Sequence, residues 1–350
     1  MNAGSESDPS GVSFMKQLVS ILIPAFNSEK WIRPCIESAL AQTWRWKEII
    51  IVDDGSKDST LEIARMYACP DIQVMTQDNR GASAARNRAL SVAQGDYIQW
   101  LDSDDLLAPD KISRQMHGAE PGLTSELLLS GSWGRFHHVP EKSEFVPDSL
   151  WEDLEPREWL YRKIHENLWM AIESWLVSRK LTEAAGPWDE QMSLDDDGEY
   201  FCRVLSHSVG VRFVPEARCF CRSVSFGLSH PLAWSDRKLD SQFASLSSYI
   251  RLMRSMEDSP KTRTACLELI ERWAPPFYTR RPDLYRQMQA VASDLGGQLG
   301  VPRLQKKYRW MQRLFGWRIA SKAQNMLPLF KAYVRYAWER GVSGYPGGWK

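Results

Sequence analysis

The chain has 350 residues, of which 43% are hydrophobic and 25% charged, and its formal net charge is zero. These values are ordinary for a globular protein with a real core, and they exclude a chain too polar to fold. The length fits either two domains or one large α/β domain with an extension. No apolar stretch approaches the roughly 20 residues of a membrane-spanning helix.

The charge is distributed unevenly. Residues 301–340 contain ten Lys or Arg and a single acid, Glu339, which gives a net charge of +9. After Pro328, apolar residues recur at helical spacing with basic residues on the other side. We predict that this basic tail contacts an anionic membrane surface, and the alternative is a helix that packs on the acidic surface of the rest of the chain. No nucleic-acid-binding motif accompanies the charge, so nucleic acid is not an expected partner.

Both the N-terminus and the cysteines bear on location. Residues 1–11 are polar and small and lack the basic and apolar regions of a signal peptide, so we predict a disordered leader over residues 1–16. None of the six cysteines forms a CxxC pair, and several lie in apolar segments. This usage indicates a reducing compartment. We expect a cytoplasmic protein, peripheral at the inner face of the membrane.

Strands and helices alternate in the first 101 residues. Continuous apolar runs predict buried strands at 18–23, 48–52, 72–75 and 96–101. Helical spacing predicts helices at about 32–40, 58–67 and 82–93, the first of them capped by Ser28. Alternation of this kind predicts a doubly wound, mostly parallel sheet flanked by helices.

The pattern is mixed after Asp110. Strands are predicted at 127–136, 171–177, 212–214 and 217–221, with a helix at 198–208. From Pro231 onward the sequence predicts a helical extension, with breaks at 275–276, 296–297 and Pro328.

Polar residues follow three of the predicted strands. They are the segment 24–27, the pair Asp53 and Asp54, and the run Asp102-Ser103-Asp104. Ligands bind beyond the carboxyl ends of strands in such sheets, so we expect the three clusters to share one crevice. GxGxxG and GxxxxGK[ST] are both absent, which weighs against dehydrogenases and P-loop NTPases.

Two acidic runs carry candidate chemistry. Asp102 and Asp104, two residues apart at a strand end, can hold Mg²⁺ or Mn²⁺ together with substrate phosphates. The alternative is a solvated acidic turn. In the second run, 195–197, Asp197 opens a helix and can take a proton from a hydroxyl group. The alternative is a helix-terminal carboxylate favoured by the helix dipole. Asp195 is expected to be a solvated neighbour.

Five segments in order resemble glycosyltransferase family 2, which has the GT-A fold. They are residues 19–27, 50–56, 79–87, 95–105, and 186–190 followed by Asp196-Asp197. Each is weak alone, but the ordered set across about 18–222 is highly specific. The resemblance implies a GT-A catalytic domain at 17–230, with a nucleotide-binding half at 17–110 and an acceptor half at 111–230. Residues 231–350 form the C-terminal extension.

The resemblance also implies roles for individual residues. The nucleotide site comprises Pro24, Ala25, Asn27, Asp53 and Asp54, with Arg86 nearby and Asp102-Ser103 beside the ribose. Asp104, with Asp102, holds the metal ion, Mn²⁺ or Mg²⁺. Asp197 matches the general base, but Asp196 stands where the family often has Glu, so both stay candidates. The segment 222–229 lacks the family's His, which puts a phosphate contact from it in doubt.

For Asp54, Arg86 and three tryptophans the amino-acid pattern permits more than one reading. Asp54 can accept a hydrogen bond from a base N–H group or only stabilise its turn. Arg86 can instead pair with Asp78 or Asp53. Trp169, Trp175 and Trp188 are expected in the core, and Trp188 is the candidate to stack on an acceptor sugar.

We therefore expect a metal-dependent, inverting glycosyltransferase. Its donor is a nucleotide-diphosphate sugar, and its acceptor is a saccharide or lipid-linked molecule, as in cell-surface polysaccharide or glycoconjugate synthesis. One alternative is a nucleotidyltransferase, although 24–27 is not the Gly-rich basic loop that such an enzyme needs. A second is a non-catalytic sugar- or partner-binding module on the same fold.

Overall fold

A computed structural model describes residues 17–118, 125–137, 139–223, 235–302, 304, 306–317, 319–324 and 327. The predicted leader 1–16 and the segment after Pro328 lie outside these residues. By its internal contacts the chain forms two compact units, residues 1–269 and 270–350. The sequence instead set the start of the extension at residue 231.

The first unit contains eight strands and eight complete helices among the residues that the structure describes. In chain order they are β1 (Val19–Ala25), α1 (Ile32–Leu40), β2 (Lys47–Asp53), α2 (Thr60–Arg65), β3 (Ile72–Thr76), α3 (Ala82–Val92), β4 (Tyr97–Trp100), β5 (Leu106–Leu107), α4 (Lys111–His117), β6 (Leu127–Phe136), α5 (Pro156–Glu166), β7 (Val177–Ser178), α6 (Arg179–Ala185), α7 (Asp196–His207), β8 (Gly210–Arg222) and α8 (Asp236–Met256). The four predicted N-terminal strands are confirmed to within two residues at each end.

The main sheet has the order β3-β2-β1-β4-β7, and all its pairings are parallel except that of β7 with β4. Strand β1 lies at the centre and is buried along its whole length. A run buried on both faces must be apolar throughout, which is why Val19–Ala25 carries almost no polar residue. The predicted doubly wound, mostly parallel sheet is confirmed.

A second sheet, of order β5-β8-β6, was not predicted. The two short strands predicted at 212–214 and 217–221 form one strand, β8. It pairs with β6 throughout, but the register shifts between Gly131 and Trp133. A Cβ atom at Gly131 would lie 2.1 Å from the carbonyl oxygen of Ala217, so only glycine permits this close pairing.

The strand predicted at 171–177 is wrong. Residues 172–174 form a single helical turn, Leu176 makes an isolated bridge to Leu129, and Val177 and Ser178 pair as β7. The turn is closed locally, because the amide and hydroxyl of Ser174 both donate to the carbonyl oxygen of Ala171, at 3.0 and 2.6 Å. An apolar run of this length does not distinguish a strand from a buried turn.

Helix α9 (Pro260–Arg280) includes the last residues of the first unit and the first residues of the second. The sequence predicted a break at Pro275 and Pro276, but the helix continues through both, so that prediction is wrong. Ala274 and Phe277, on either side, are fully buried, and this packing outweighs the lost amide donors. Helix α10 (Pro282–Asp294) does end before Gly296-Gly297, as predicted. No helix of the described residues is long and apolar enough to cross a bilayer.

Candidate active site

The three polar clusters lie together at the carboxyl edge of the main sheet. The parallel register pairs Ala25 with Asp53, and the Asp54 amide donates to the Ala25 carbonyl at 2.8 Å. The hydroxyl of Ser28 lies 2.7 Å from that of Ser103, which joins the first loop to the acidic run. The three polar clusters are therefore neighbours, as the sequence predicts. Ser28 makes no capping hydrogen bond through its side chain, so that prediction is wrong.

The first loop is held against the second turn. Asn27 has left-handed backbone geometry, with φ of 49°. Its amide donates to the hydroxyl of Ser56 at 2.9 Å, and its side-chain oxygen accepts from the Lys57 amide at 2.8 Å. Pro24 and Ala25, just before it, are buried. These contacts leave Asn27 exposed at this edge of the sheet.

Asp53 and Asp54 have different surroundings. Both oxygens of Asp54 already accept hydrogen bonds, from the Arg80 amide at 2.9 Å and the Gly81 amide at 2.8 Å. Asp54 thereby fixes the turn that precedes α3. Asp53 uses one oxygen, which accepts from the hydroxyl of Thr76 at 3.1 Å, while its Oδ1 is buried without a partner. Of the two aspartates, Asp53 is therefore the one with a carboxylate oxygen that accepts no hydrogen bond from the protein, although its sequence context resembles that of Asp54.

Arg86 joins the two acidic runs. Its guanidinium donates to Asp102 and to Asp196, each at 2.8 Å, and lies 4.5 Å from the centre of the Trp188 ring. Burial alone would lower the pKa of Arg86, but the charges of Asp102 and Asp196 raise it, so the side chain stays charged. Neither Asp78 nor Asp53 pairs with it. A nucleotide contact by Arg86 stays a prediction.

Trp188 lies in the hydrophobic core and not at the protein surface. It is 2% exposed, and its ring stacks on Tyr200 at a centroid distance of 4.0 Å. The side chain of Asn87 donates to the Trp188 carbonyl at 2.9 Å and accepts from its amide at 2.8 Å, so α3 fixes the turn directly. The suggestion that Trp188 stacks on an acceptor sugar is wrong, because its ring faces are covered.

Asp104 is half-buried at the end of the acidic run. Burial and the charge of Asp102 raise its pKa to about 6, against the lowering effect of Arg222. Arg222 donates from Nε to the Asp104 carbonyl at 2.9 Å and from its amide to Asp105 at 2.5 Å. Its guanidinium lies 4.2 Å from the centre of the Trp31 ring. The last residue of β8 therefore fixes the backbone that carries Asp104.

A buried acidic group lies beneath this run. One side-chain ligand atom from each of Asp105, Glu173 and Cys221 lies within 4.8 Å of the others. Both carboxylate oxygens of Glu173 are buried without a hydrogen-bond partner. Burial, followed by the charge of Asp102, raises the pKa of Glu173 to about 8. Sequence reasoning missed Glu173, because it lies in a turn with no recognisable motif.

The second acidic run is held by α8, which the sequence assigned to the extension. Tyr249 donates to Asp195 at 2.6 Å, and the hydroxyl of Ser241 accepts from the Leu194 amide at 2.9 Å. Asp195 is thus tied into the protein and is not the solvated neighbour that we expected. A Cβ atom at Gly198 would lie 2.0 Å from the Tyr249 hydroxyl oxygen, so glycine is required there.

Asp196 and Asp197 differ in what they contact. Asp196 accepts from Arg86 and, at 3.2 Å, from the hydroxyl of Ser83. Asp197 lines a cavity of about 20 Å³ together with Trp159, Lys163, Trp169, Met170, Trp175, Asp195, Gly198 and Phe201. Burial, followed by the charges of Asp196 and Asp195, raises the pKa of Asp197 to about 7. Of the pair, Asp197 is the carboxyl group that faces open space.

Residues 20–124, which contain the first acidic run and the strands that position it, match the family model "Glycosyl transferase family 2". Over this segment the chain is similar to glycosyltransferase family 2. EpsH of Bacillus subtilis (strain 168), which is named as a glycosyltransferase, is 32% identical over 212 residues. This match covers 59% of the chain and 58% of EpsH. Chondroitin synthase of Escherichia coli is 46% identical over 97 residues, 27% of the chain and 14% of that protein. The chain thus spans about half of EpsH and less of the synthase.

Solved structures share the fold at low identity. S. aureus TarS 1-349 in complex with UDP-GlcNAc has a TM-score of 0.58 and 17% identity, covering 79% of this chain and 89% of TarS 1-349. The mannosyltransferase PcManGT of Pyrobaculum calidifontis, in complex with GDP-Man and Mn²⁺, has a TM-score of 0.50 and 18% identity, covering 89% of this chain and 87% of PcManGT. The predicted GT-A fold with a C-terminal extension is confirmed.

The first testable prediction concerns Glu173 and stability. Because its folded pKa is raised to about 8, the folded protein retains a proton that the unfolded chain releases above the ordinary pKa of 4.5. Its contribution to stability is complete below about pH 4.5 and is lost as the pH rises through about 8. Glu173→Gln, which stays neutral, should therefore gain stability relative to wild type between pH 5 and pH 8. Urea unfolding in EDTA measures this.

Glu62→Gln, on the exposed side of α2, is the matched control. It should follow the wild-type pH dependence. Parallel pH profiles for Glu173→Gln and wild type would contradict the prediction.

Proposed function

We propose that the chain is a metal-dependent, inverting glycosyltransferase that moves a sugar from a nucleotide-diphosphate sugar to a saccharide or lipid-linked acceptor. Cell-surface polysaccharide or glycoconjugate synthesis is the proposed setting. The observation that supports it most is the Arg86 bridge. It ties a strand-end carboxylate, Asp102, to Asp196, the neighbour of Asp197 at the start of α7, at 2.8 Å on each side. The match of residues 20–124 to the glycosyltransferase model speaks against a nucleotidyltransferase.

The donor is proposed to bind along the first loop. TarS and PcManGT are solved with UDP-GlcNAc and GDP-Man, which supports a nucleotide-sugar donor on this fold. Asn27 stands exposed at the carboxyl edge of the main sheet and is assigned to the nucleotide, together with Asp53, whose Oδ1 is buried and has no protein partner. Because both oxygens of Asp54 accept protein amides, we assign Asp54 to shaping this site.

The metal ion is assigned to Asp104, with Asp102 beside it. Burial and the like charge of Asp102 raise the pKa of Asp104, so a cation placed beside this carboxylate would be favourable. Although Arg86 already pairs with one oxygen of Asp102, two carboxylates this close in sequence suit an oxygen-preferring divalent ion, Mn²⁺ or Mg²⁺. When bound, such an ion neutralises charge that develops on the leaving diphosphate.

Asp197 is assigned as the general base. The acceptor oxygen forms a bond to the anomeric carbon while the bond from that carbon to the diphosphate oxygen breaks, and the hydroxyl proton passes to Asp197. A single displacement of this kind inverts the configuration. Asp196 is less suited, because Arg86 and Ser83 already occupy one of its oxygens.

The second prediction concerns Asp104. Asp104→Asn should abolish turnover and the Mn²⁺-dependent part of nucleoside-diphosphate binding, because an amide is a poor ligand for a divalent ion. Thermal-shift titration of UDP and GDP, with Mn²⁺ and with EDTA, measures binding. Asp110→Asn, at the exposed start of α4, is the control. Near-normal turnover together with unchanged Mn²⁺-dependent binding would refute the assignment.

The third prediction concerns Asp197. A base must be deprotonated to act, so transfer should rise as the pH increases through about 7 and then level off. Asp197→Asn should keep donor binding but lose transfer by about 10²–10⁴-fold. Steady-state rates between pH 5.5 and 9 measure both effects. If Asp196→Asn is inactive with its fold intact while Asp197→Asn remains active, Asp196 is the base.

The proposed membrane contact has support from part of the basic tail that the structure describes. Residues 309–317 and 319–324 are helical. Trp310 and Leu314, one turn apart, are 57% and 68% exposed, and Phe315 and Ile319 are also exposed. The exposed basic residues around them are Lys306, Lys307, Arg309, Arg313 and Lys322. Apolar side chains flanked by cations suit the interface of an anionic bilayer.

The fourth prediction tests this contact in the full chain. Trp310→Ser with Leu314→Ser should reduce co-sedimentation with phosphatidylglycerol vesicles at low salt, because the inserted apolar groups are lost. The control is Met66→Ser with Val146→Ser, which removes equally exposed apolar groups of the first unit. Equal pelleting of wild type and the Trp310/Leu314 variant would exclude this surface as the anchor.

A further inference from the structure

The cavity beside Asp197 is too small for a sugar ring. Its volume of about 20 Å³ holds about one water molecule, so it admits a hydroxyl group and little more. An acceptor whose hydroxyl reaches Asp197 must therefore keep its ring outside the cavity. Trp169 is the most exposed of the residues that line the cavity, with an exposed fraction of 38%.

Trp169 forms part of an aromatic platform that includes a cation. The ring of Trp133 packs against it at a centroid distance of 4.4 Å. The guanidinium of Arg135 lies 4.7 Å from the centre of the Trp169 ring and 5.5 Å from that of Trp133. We call these three residues the Trp169 platform.

Two rigid elements build the platform. Trp133 and Arg135 are two residues apart on β6, so their side chains lie on the same face of the strand. Trp169 follows α5, which Asn167 ends in the left-handed conformation with φ of 58°. The Leu168 amide donates to the Lys163 carbonyl at 3.0 Å and continues this helix end. The platform is thus part of the folded protein before any acceptor binds.

Arg135 is exposed and has no ion pair among the described residues. Glu144 pairs with it through the backbone, at 2.9 and 3.0 Å, yet the two side chains form no salt bridge. The planar guanidinium, held against aromatic faces, can still offer its N–H groups to an anion in a bidentate fashion. A neutral sugar has no anionic group to pair with these N–H donors.

We infer that the Trp169 platform binds an acceptor sugar that carries an oxyanion, either a carboxylate or a phosphate. The apolar face of the sugar packs on Trp169, the oxyanion pairs with Arg135, and the attacking hydroxyl enters the cavity of Asp197. This inference rests on the proposed function, because it takes Asp197 as the base. It adds the chemical class of the acceptor and the residues that select it.

The test compares methyl β-D-glucoside with two anionic relatives, methyl β-D-glucuronide and the 6-phosphate of the same glucoside. Saturation-transfer NMR in UDP and Mn²⁺ gives the relative affinities. Wild type should bind at least one anionic glycoside about fivefold more tightly than the neutral one. Arg135→Gln should remove this preference and keep neutral binding, and Trp169→Ala should weaken all three. Arg65→Gln, an exposed arginine on α2, is the control and should change nothing.

The preferred anion identifies whether carboxylate or phosphate is the natural group. Equal binding of charged and neutral glycosides by wild type, no binding of either anionic glycoside, or a preference that survives Arg135→Gln would overturn the inference. Hydrolysis of UDP-GlcNAc and GDP-Man is measured on the same samples. If the protein hydrolyses a donor but does not prefer charged glycosides, only the inference about the acceptor is refuted. If it neither binds nor hydrolyses a donor, the proposed function is refuted.

Discussion

The arrangement of the site depends on one buried cation, Arg86. Two acidic runs more than 90 residues apart in sequence would repel each other if they met without compensation. The guanidinium binds one carboxylate from each run at 2.8 Å, and Trp188 covers its face. Removing one partner of a buried charge network costs more than the network contributes, because the remaining charge is left unpaired. Arg86 is therefore both a structural requirement and the link between the proposed donor and acceptor sides.

Arg86 also makes the two adjacent aspartates different. Asp196 forms an ion pair with Arg86, whereas Asp197 lines the cavity and has a pKa raised to about 7. A base poised near the working pH combines the correct protonation state with enough basicity to take a proton. Helix α8 completes the arrangement, since Tyr249 holds Asp195 at 2.6 Å and fixes the loop before the base. The proposed catalytic half thus requires a helix beyond residue 231.

The proposed acceptor side consists of a small cavity and a larger, open aromatic surface. The cavity at Asp197 admits one hydroxyl group, and the exposed Trp169 platform lies at its edge. Transfer to a particular hydroxyl needs this combination, because a narrow cavity selects the reacting group while an open aromatic face tolerates a larger acceptor. In the proposed scheme, specificity for the acceptor then resides in Arg135 and Trp169, away from the residues that bind the donor.

The sequence by itself determined the parts of the protein that depend on neighbouring residues. Apolar runs such as Val19–Ala25 specify buried strands, and their alternation with helices specifies a mostly parallel sheet whose carboxyl ends gather Asn27, Asp53 and Asp102. Only the tertiary structure decided which groups pair across the chain. Contacts between distant segments decide four features of the site. They are the partners of Arg86, the burial of Trp188, the burial of Glu173 and the exposure of Trp169. Periodicity and local motifs do not encode such contacts, because they report one residue's near neighbours and not what packs against its side chain.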